Sequence, residues 1–193
     1  MFNSDLLIKR PIKYISEVNQ LTNNIVVSTV MSNYGFKQAI EKFNFDLIET
    51  PVGDKYVAEA MKKYDAALGG EQSGHIIISD LLPVGDGLVT LIYVLKAMQH
   101  FGVALSDFKR EHLYEYPQKL TNLELKNKLN DEELEYINQI ALDMSIKKDL
   151  DGRYLIRNSG TEPLLRVLVE AKSNEAMEDF SNELITKINK YLN

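Results

Sequence analysis

Hydrophobic residues in the first half of the chain alternate between short β-branched runs and stretches with a helical spacing of three and four. Residues 25–30 form the clearest β-branched run, which is typical of a buried strand. The apolar residues from Phe36 to Phe43 follow with helical spacing. The next predicted elements are a strand at 45–49, a helix at 55–64, strands at 66–68 and 75–79, and a helix from Asp86 to about Phe101. This alternation predicts a small α/β layer over residues 1–103.

The helix that begins at Asp86 is unusual because it is apolar on every side. An aspartate at this place accepts hydrogen bonds from the first free N–H groups of a helix. A helix with apolar residues all around is typical of one enclosed by other elements. We therefore expect this helix to be buried.

The pattern changes after Gly102, where the mixed and charged residues 104–115 are predicted to form a linker. The elements predicted beyond it are a strand near 114–123, a helix capped by Asn130 or Asp131, strands at 154–157 and 164–171, and a last helix around residues 177–191. This order predicts a small α+β domain over residues 116–193, with an antiparallel sheet covered by two helices.

Composition narrows the classes of function. The 193 residues carry a formal net charge of −6 without a basic stripe, so nucleic acid is not expected as a partner. The absence of cysteine excludes disulfides, thiolate metal sites and a cysteine nucleophile. No apolar run reaches the roughly 18 residues that span a bilayer, and no signal peptide is evident. We expect no membrane association and a cytoplasmic location.

A first glycine-rich loop runs from Gly69 to His75 between two predicted strands. Its three glycines permit a sharp turn and a close approach of backbone to ligand. Glu71 and Ser73 suit neighbouring sugar hydroxyls, because a carboxylate accepts hydrogen bonds and a hydroxyl both donates and accepts them. Gln72 projects from the same turn. By themselves these residues fit a structural hairpin with solvated side chains equally well.

A second loop, residues 157–163, joins two later strands and has the donors of a phosphate site. Arg157 offers a planar fork of N–H groups that matches phosphate oxygens. A glycine in such a turn exposes backbone N–H groups that can surround an anion. The further donors are Ser159, Gly160, Thr161 and, on the next strand, Arg166. No nucleotide P-loop spacing is present, and the pattern favours phosphate binding over a plain turn.

Two weaker features have simpler explanations. Asp149, Asp151 and Arg153 superficially resemble an acidic metal loop, but magnesium needs several converging oxygens, so a solvated turn is favoured and no metal ligand is expected. The polar residues at 29–33 follow a strand, where they either line a ligand crevice or cap the next helix.

Five segments together resemble one family. GEQSGH at 70–75 and RNSGTEP at 157–163 resemble signature loops of the α-D-phosphohexomutases. STVMSN at 28–33, VGDKYV at 52–57 and GDG at 85–87 narrow the resemblance to the phosphoglucosamine mutase branch. The resemblance extends along nearly the whole chain.

The resemblance implies an architecture. Family members have four domains around a cleft: the first carries a phosphorylated serine, the second binds magnesium (Mg2+), the third holds the sugar, and the fourth holds the phosphate that is not reacting. This chain then comprises the third domain, a three-layer α/β unit, and the α+β fourth domain. Its implied partner is the missing N-terminal half of the same enzyme, because the chain has neither the serine loop nor the aspartate-rich metal loop.

The reaction that the resemblance implies interconverts glucosamine 6-phosphate and glucosamine 1-phosphate, on the route to UDP-N-acetylglucosamine and peptidoglycan. Phosphoserine gives its phosphoryl group to the substrate, and the resulting glucosamine 1,6-bisphosphate turns over and returns the other group. Phosphoryl transfer depends on positioning and charge stabilisation. This chain supplies positioning only, so no catalytic residue is assigned to it and it is expected to be inactive alone.

Residue roles follow from the resemblance by position. Glu71 and Ser73 would hold the sugar hydroxyls with Gln72 beside them, and His75 would line the cleft as a candidate helper of proton transfer. Lys55 stands where the family usually has arginine, which keeps the charge but loses the planar fork. The residues assigned to the phosphate are Arg157, Asn158, Ser159, Gly160, Thr161 and Arg166.

Two alternatives remain open. The chain could belong to another mutase of the superfamily, acting on phosphomannose or phosphoglucose, although Gln72 and the segment at 31–33 favour the glucosamine branch. It could also be a freestanding protein that binds a phosphosugar without catalysis. A part of an enzyme and a freestanding binding protein differ in whether serine and metal loops precede this sequence, whereas turnover on glucosamine and glucose phosphates would separate the mutases.

Overall fold

The chain divides into two compact units, residues 1–115 and residues 116–193. The structure, a computed structural model, describes residues 14, 17–18, 23–79, 84–105 and 114–192. The predicted linker at 104–115 lies mostly outside these described residues.

The first unit is built on a four-stranded sheet with three helices. Its strands are β1 (Ile25–Thr29), β2 (Asp46–Thr50), β3 (Leu68–Gly70) and β4 (Ile76–Ile78). Its helices are α1 (Tyr34–Lys42), α2 (Asp54–Tyr64) and α3 (Gly87–Phe101). The strand order is β2-β1-β3-β4, in which β1 runs parallel to β2 and β3, and β4 runs antiparallel to β3. The parallel strands therefore present their carboxyl ends at one edge of the sheet.

The helices cover both faces of this sheet. Neighbouring residues of a strand point to opposite faces. Val26 of β1 belongs to a buried cluster with Phe36 of α1 and Tyr93 of α3. Its neighbour Val27 belongs to another cluster with Val57 of α2. This arrangement confirms the predicted three-layer α/β unit.

The prediction that α3 is buried on all sides is wrong. Its buried side chains, Tyr93, Val94 and Ala97, form one narrow face. The opposite face exposes Leu88 at 74%, Leu91 at 52%, Ile92 at 51% and Leu95 at 51%. The physical reason is that, among the described residues, this helix packs on the sheet cluster and on a small cluster with Tyr14, so only the side chains that face these neighbours are covered. Apolar composition alone does not indicate how many neighbours a helix has.

The second unit is an antiparallel sheet with two helices, as predicted. Its strands are β5 (Gln118–Glu124), β6 (Gly152–Asn158) and β7 (Leu164–Ala171), in the order β5-β7-β6. Its helices are α4 (Asp131–Lys147) and α5 (Asn174–Leu192). Asn130 and Glu133 form a capping box at the start of α4, each accepting a hydrogen bond from the other's backbone N–H.

The core of the second unit lies between the helices and one face of the sheet. Ile156 of β6 and Val167 of β7 share a buried cluster with Ile137 of α4 and Leu184 of α5. Because side chains alternate along a strand, the residues next to Ile156 and Val167 point to the opposite face of the sheet. Arg157 lies on that opposite face, beside the end of β6.

The two faces of α3 offer a direct stability test. We expect Val94→Ala to lower the free energy of unfolding by about 2 kcal/mol, since it removes two methyl groups from a buried contact. Leu91→Ala should change it by less than about 0.5 kcal/mol, because this side chain is half exposed. Chemical denaturation of both variants measures the difference. Equal losses would contradict the placement of these faces.

Candidate functional site

The first loop, residues 71–75, lies at the carboxyl end of β3 and closes its hairpin with β4. The Glu71 N–H donates to the His75 carbonyl at 2.9 Å, and the Gly74 N–H donates to the Glu71 carbonyl at 3.1 Å. Gly74 has φ of +111°, a conformation that side chains other than glycine's rarely allow. The loop is therefore a compact turn with defined side-chain directions.

Glu71 is the centre of this turn. The residue is only 7% exposed, yet its carboxylate has several hydrogen-bonding partners. Oε1 accepts from the Gly53 N–H at 2.9 Å, and Oε2 accepts from the Ser73 hydroxyl at 3.2 Å. The Nδ1 atom of His75 lies 3.2 Å from Oε2 and from the Ser73 Oγ. These contacts hold a carboxylate, a hydroxyl and an imidazole together, with Ser73 and His75 exposed to solvent.

The segment VGDKYV at 52–57 contacts this turn through Gly53. Gly53 has φ of +139° and precedes α2, so its N–H can point back to Glu71. Lys55 follows in the first turn of α2, with its side chain exposed and its Nζ 3.9 Å from the Glu59 Oε1. Gln72 is half-buried at the tip of the loop. The hydrogen bond from the Gly53 N–H to Glu71 thus holds the start of α2, with Lys55, next to the turn.

The polar residues at 29–33 organise the start of α1. The Asn33 side chain accepts a hydrogen bond from the Gly35 N–H at 3.0 Å, which caps the helix. The hydroxyls of Ser28 and Ser32 contact each other, and both residues are buried. Of the two interpretations from the sequence, capping of the next helix is the one that these contacts support.

The second loop lies between β6 and β7, and two arginines face each other where it begins. Arg157 is directly opposite Arg166 in the register of the two strands. Within the described part of the chain Arg157 has neither a hydrogen bond nor an ion pair, and the Arg166 Nη2 reaches only the exposed Glu162 carboxylate at 3.9 Å. Burial and then the charge of Arg166 lower the pKa of Arg157 below its ordinary value. Glu162 therefore offsets part of the charge of Arg166, whereas the charge of Arg157 has no counterpart among the described residues.

Several donors of this loop also lack an acceptor among the described residues. The Ser159 Oγ and the Arg166 Nε are buried and have no hydrogen-bond partner. The consecutive N–H groups of residues 160–162 donate to no other described residue. By contrast, the Ser159 N–H donates to the Leu164 carbonyl at 2.8 Å and closes the turn. A buried donor without a partner costs free energy, which applies to Ser159 and Arg166, whereas residues 160–162 are exposed and their N–H groups are open to a ligand. This set of donors makes the loop a candidate anion-binding site.

Asn158 has a different environment from its neighbours. Its Nδ2 donates to the Leu129 carbonyl at 2.8 Å, and its Oδ1 accepts from the Leu129 N–H at 3.3 Å. The side chain therefore joins the loop to the segment between β5 and α4. Thr161 and Gly160 are exposed at the loop tip.

The acidic residues near Asp151 form a solvated turn with a neighbouring lysine. Hydrogen bonds from Lys172 at 2.7 Å and from Tyr116 at 3.0 Å lower the pKa of Asp151 below its ordinary value. Among the residues that the structure describes, no group of three or more histidine, aspartate and glutamate side chains converges as a metal ion would require. The described helices also include none that is long and apolar enough to cross a membrane.

Both units match models of one protein family. Residues 4–116 match phosphoglucomutase/phosphomannomutase, alpha/beta/alpha domain III. Residues 120–187 match the phosphoglucomutase/phosphomannomutase C-terminal domain. The two matches cover most of the chain.

Curated relatives bear the name phosphoglucosamine mutase. The chain is 46% identical over 168 residues to that of Streptococcus agalactiae, covering 86% of this chain and 37% of the relative. It is 40% identical over 173 residues to that of Bacillus subtilis, covering 90% of this chain and 38% of the relative. The chain thus spans well under half the length of these relatives.

Solved structures show the same fold at lower identity. N-acetylphosphoglucosamine mutase of Aspergillus fumigatus has a TM-score of 0.80 at 19% identity, covering 97% of this chain and 43% of that one. The same enzyme in complex with GlcNAc-6P and magnesium has a TM-score of 0.78 at 19% identity, covering 98% of this chain and 44% of that one.

The unpartnered hydroxyls permit a matched stability experiment. Ser159 and Ser181 are both buried without a partner for Oγ, but Ser181 lies on α5, away from the loop in sequence. We expect Ser159→Ala and Ser181→Ala to leave the free energy of unfolding within about 0.5 kcal/mol or to raise it, since each removes a buried orphan polar group. Thermal denaturation without added anion measures these changes in the free energy of unfolding. A loss above about 1 kcal/mol for Ser159→Ala would show that its hydroxyl has a partner.

Proposed function

This chain belongs to the phosphoglucomutase/phosphomannomutase family, and on that premise we propose that it is the substrate-holding part of a phosphoglucosamine mutase. The reaction is the interconversion of glucosamine 6-phosphate and glucosamine 1-phosphate through phosphoserine and glucosamine 1,6-bisphosphate. The names of the 40–46% identical relatives support glucosamine over mannose or glucose as the sugar. Because the chain spans 37% of the Streptococcus agalactiae relative, the phosphoserine and metal steps belong to parts equivalent to the rest of that relative.

The observation that carries this proposal is the uncompensated donor set of the second loop. Arg157 and Arg166 face each other without a buried carboxylate between them. The Ser159 hydroxyl and three consecutive backbone N–H groups add donors that lack acceptors among the described residues. A phosphate dianion has enough acceptor oxygens for such a set, and arginine forks match their geometry. The loop holds the phosphate that does not react.

The first loop is proposed to hold the sugar. Glu71 is fixed by the Gly53 N–H and presents a carboxylate acceptor that does not have to reorganise on binding. The exposed Ser73 hydroxyl beside it can donate to or accept from a second sugar hydroxyl. His75, within 3.2 Å of both, is available to pass a proton at Nδ1 or Nε2. Lys55 supplies a charge without a fork at the edge of this turn.

Magnesium, which the family resemblance implies, does not fit the described residues of this chain. They hold no converging group of three or more acidic or histidine side chains, and Asp151 is engaged by Lys172 and Tyr116. We therefore assign no step through the metal to these residues. Their contribution is to orient the phosphosugar for groups supplied by parts equivalent to the rest of the full-length relatives.

Phosphate binding tests the proposal directly. We expect glucosamine 6-phosphate and inorganic phosphate to bind the chain, and Arg157→Ala to weaken both at least about tenfold, because charge-assisted hydrogen bonds contribute about 1.5–3 kcal/mol. Lys147→Ala is the matched control, since it removes one positive charge at the far end of α4, about 25 Å along the helix from its start. Isothermal titration calorimetry gives both affinities. Equal affinities for wild type and Arg157→Ala would refute the phosphate assignment.

Turnover tests the division of labour. We expect the purified 193-residue chain to convert no glucosamine 6-phosphate, because binding groups alone do not supply a phosphoryl donor. The full-length Bacillus subtilis relative, assayed at the same concentration, is the positive control. Turnover that co-purifies with the chain, at a rate unrelated to any full-length contaminant, would contradict the proposal.

A further inference from the structure

The segment between β5 and α4 touches the phosphate loop at a second point besides Asn158. The Lys128 Nζ donates a hydrogen bond to the Gly160 carbonyl at 2.5 Å. The next residue, Leu129, uses both its backbone N–H and its carbonyl on the Asn158 side chain. Three hydrogen bonds therefore hold residues 128–129 against residues 158–160, across about thirty residues of sequence.

A lysine on the Gly160 carbonyl determines the orientation of a peptide group. The peptide unit is planar and trans, so its C=O and its N–H point in opposite directions. The peptide group that contains the Gly160 carbonyl also contains the Thr161 N–H. That N–H is one of the three consecutive donors of the loop that have no acceptor among the described residues. By holding the carbonyl on one side, Lys128 presents the Thr161 N–H on the other.

Lys128 also brings positive charge that the described residues leave without an ion pair. Lys119, Lys148 and Lys172 each have a carboxylate oxygen within 2.9 Å of Nζ. For Lys128 the recorded contact is a neutral carbonyl. Glu133, four residues after Leu129, uses its carboxylate on the Asn130 N–H in the helix cap. An ammonium group has three N–H donors, so two remain after the bond to Gly160.

We propose that Lys128 is a further phosphate-binding residue, which orients the Gly160–Thr161 peptide group and adds a third positive charge to Arg157 and Arg166. This inference rests on the proposed function, since it concerns the same anion. It also gives Asn158 a role: the amide positions Lys128 by holding Leu129, and does not have to contact the phosphate. Lysine suits this place because its compact charge can serve a carbonyl and an anion at once.

The first measurement needs no ligand. In NMR spectra of the phosphate-free chain, Lys128→Met should shift the Gly160 carbonyl ¹³C and the Thr161 amide ¹⁵N resonances. The reason is that the substitution removes the ammonium group that donates to this carbonyl. Lys126→Met is the matched control, since it removes an exposed lysine two residues away that has no bond to the loop. Unchanged Gly160 and Thr161 resonances in Lys128→Met would overturn the inference.

The second measurement is the affinity for inorganic phosphate by calorimetry. We expect Lys128→Met to weaken it about tenfold, Lys128→Arg to stay within about threefold of wild type, and Lys126→Met to stay within about twofold. Rescue by arginine distinguishes a charged donor from a purely structural side chain. Circular dichroism confirms that each variant is folded, and the exposed position of Lys128 favours this.

The two proposals fail in different ways. If wild type binds phosphate and Arg157→Ala does not, but Lys128→Met binds like wild type, the role of Lys128 is refuted and the proposed function stands. If wild type and Arg157→Ala both fail to bind, the proposed function is refuted, and the assignment of Lys128 to its anion is refuted with it. Loss of binding in Lys128→Met without recovery in Lys128→Arg would reduce Lys128 to a structural contact and also overturn the inference.

Discussion

Two arginines, Arg157 and Arg166, face each other across neighbouring strands at the loop end of the second unit's sheet. Like charges opposite each other on a sheet are destabilising. The same sheet face shows that the fold can avoid this problem: Arg153, four residues before Arg157 on β6, is paired with the fully buried Glu170 on β7. At the loop end of the strands the equivalent partner of Arg157 is Arg166. The sheet thus pairs Arg153 with a buried glutamate, whereas Arg157 has no ion pair among the described residues and Arg166 has only the exposed Glu162.

The first unit holds a hydrogen-bond acceptor, the Glu71 carboxylate, in a fixed position. Glu71 is nearly buried, and a buried carboxylate is costly unless hydrogen bonds satisfy it. The Gly53 N–H and the Ser73 hydroxyl provide such bonds. A fixed acceptor with a hydroxyl beside it suits the hydroxyls of a sugar, whereas a cluster of unneutralised donors suits a phosphate. Under the proposed function, the first unit would therefore bind the sugar hydroxyls and the second unit the phosphate.

The sequence predicts the elements better than it predicts their surroundings. Binary pattern locates the β1 strand and the α4 helix because a period of two or of 3.6 is a local property. The exposed face of α3 escaped prediction, since the number of layers around a helix is not local. The sequence places Arg157 and Arg166 on successive strands, but their direct opposition is a matter of register that only the structure gives. The bonds from Asn158 to Leu129 join residues 29 apart and leave no signal in either segment. The sequence pattern locates the loops, whereas the long-range hydrogen bonds that hold them are seen only in the structure.

Anion binding and folding of the second unit are then linked through the same charges. A ligand that binds only the native state stabilises it by RT ln(1 + [L]/Kd). Here a bound phosphate would also remove the repulsion between Arg157 and Arg166 and satisfy the buried donors of Ser159 and Arg166. In the proposed site, part of the binding free energy would offset this repulsion and the cost of the unpartnered donors, so the measured affinity would understate the strength of the contacts.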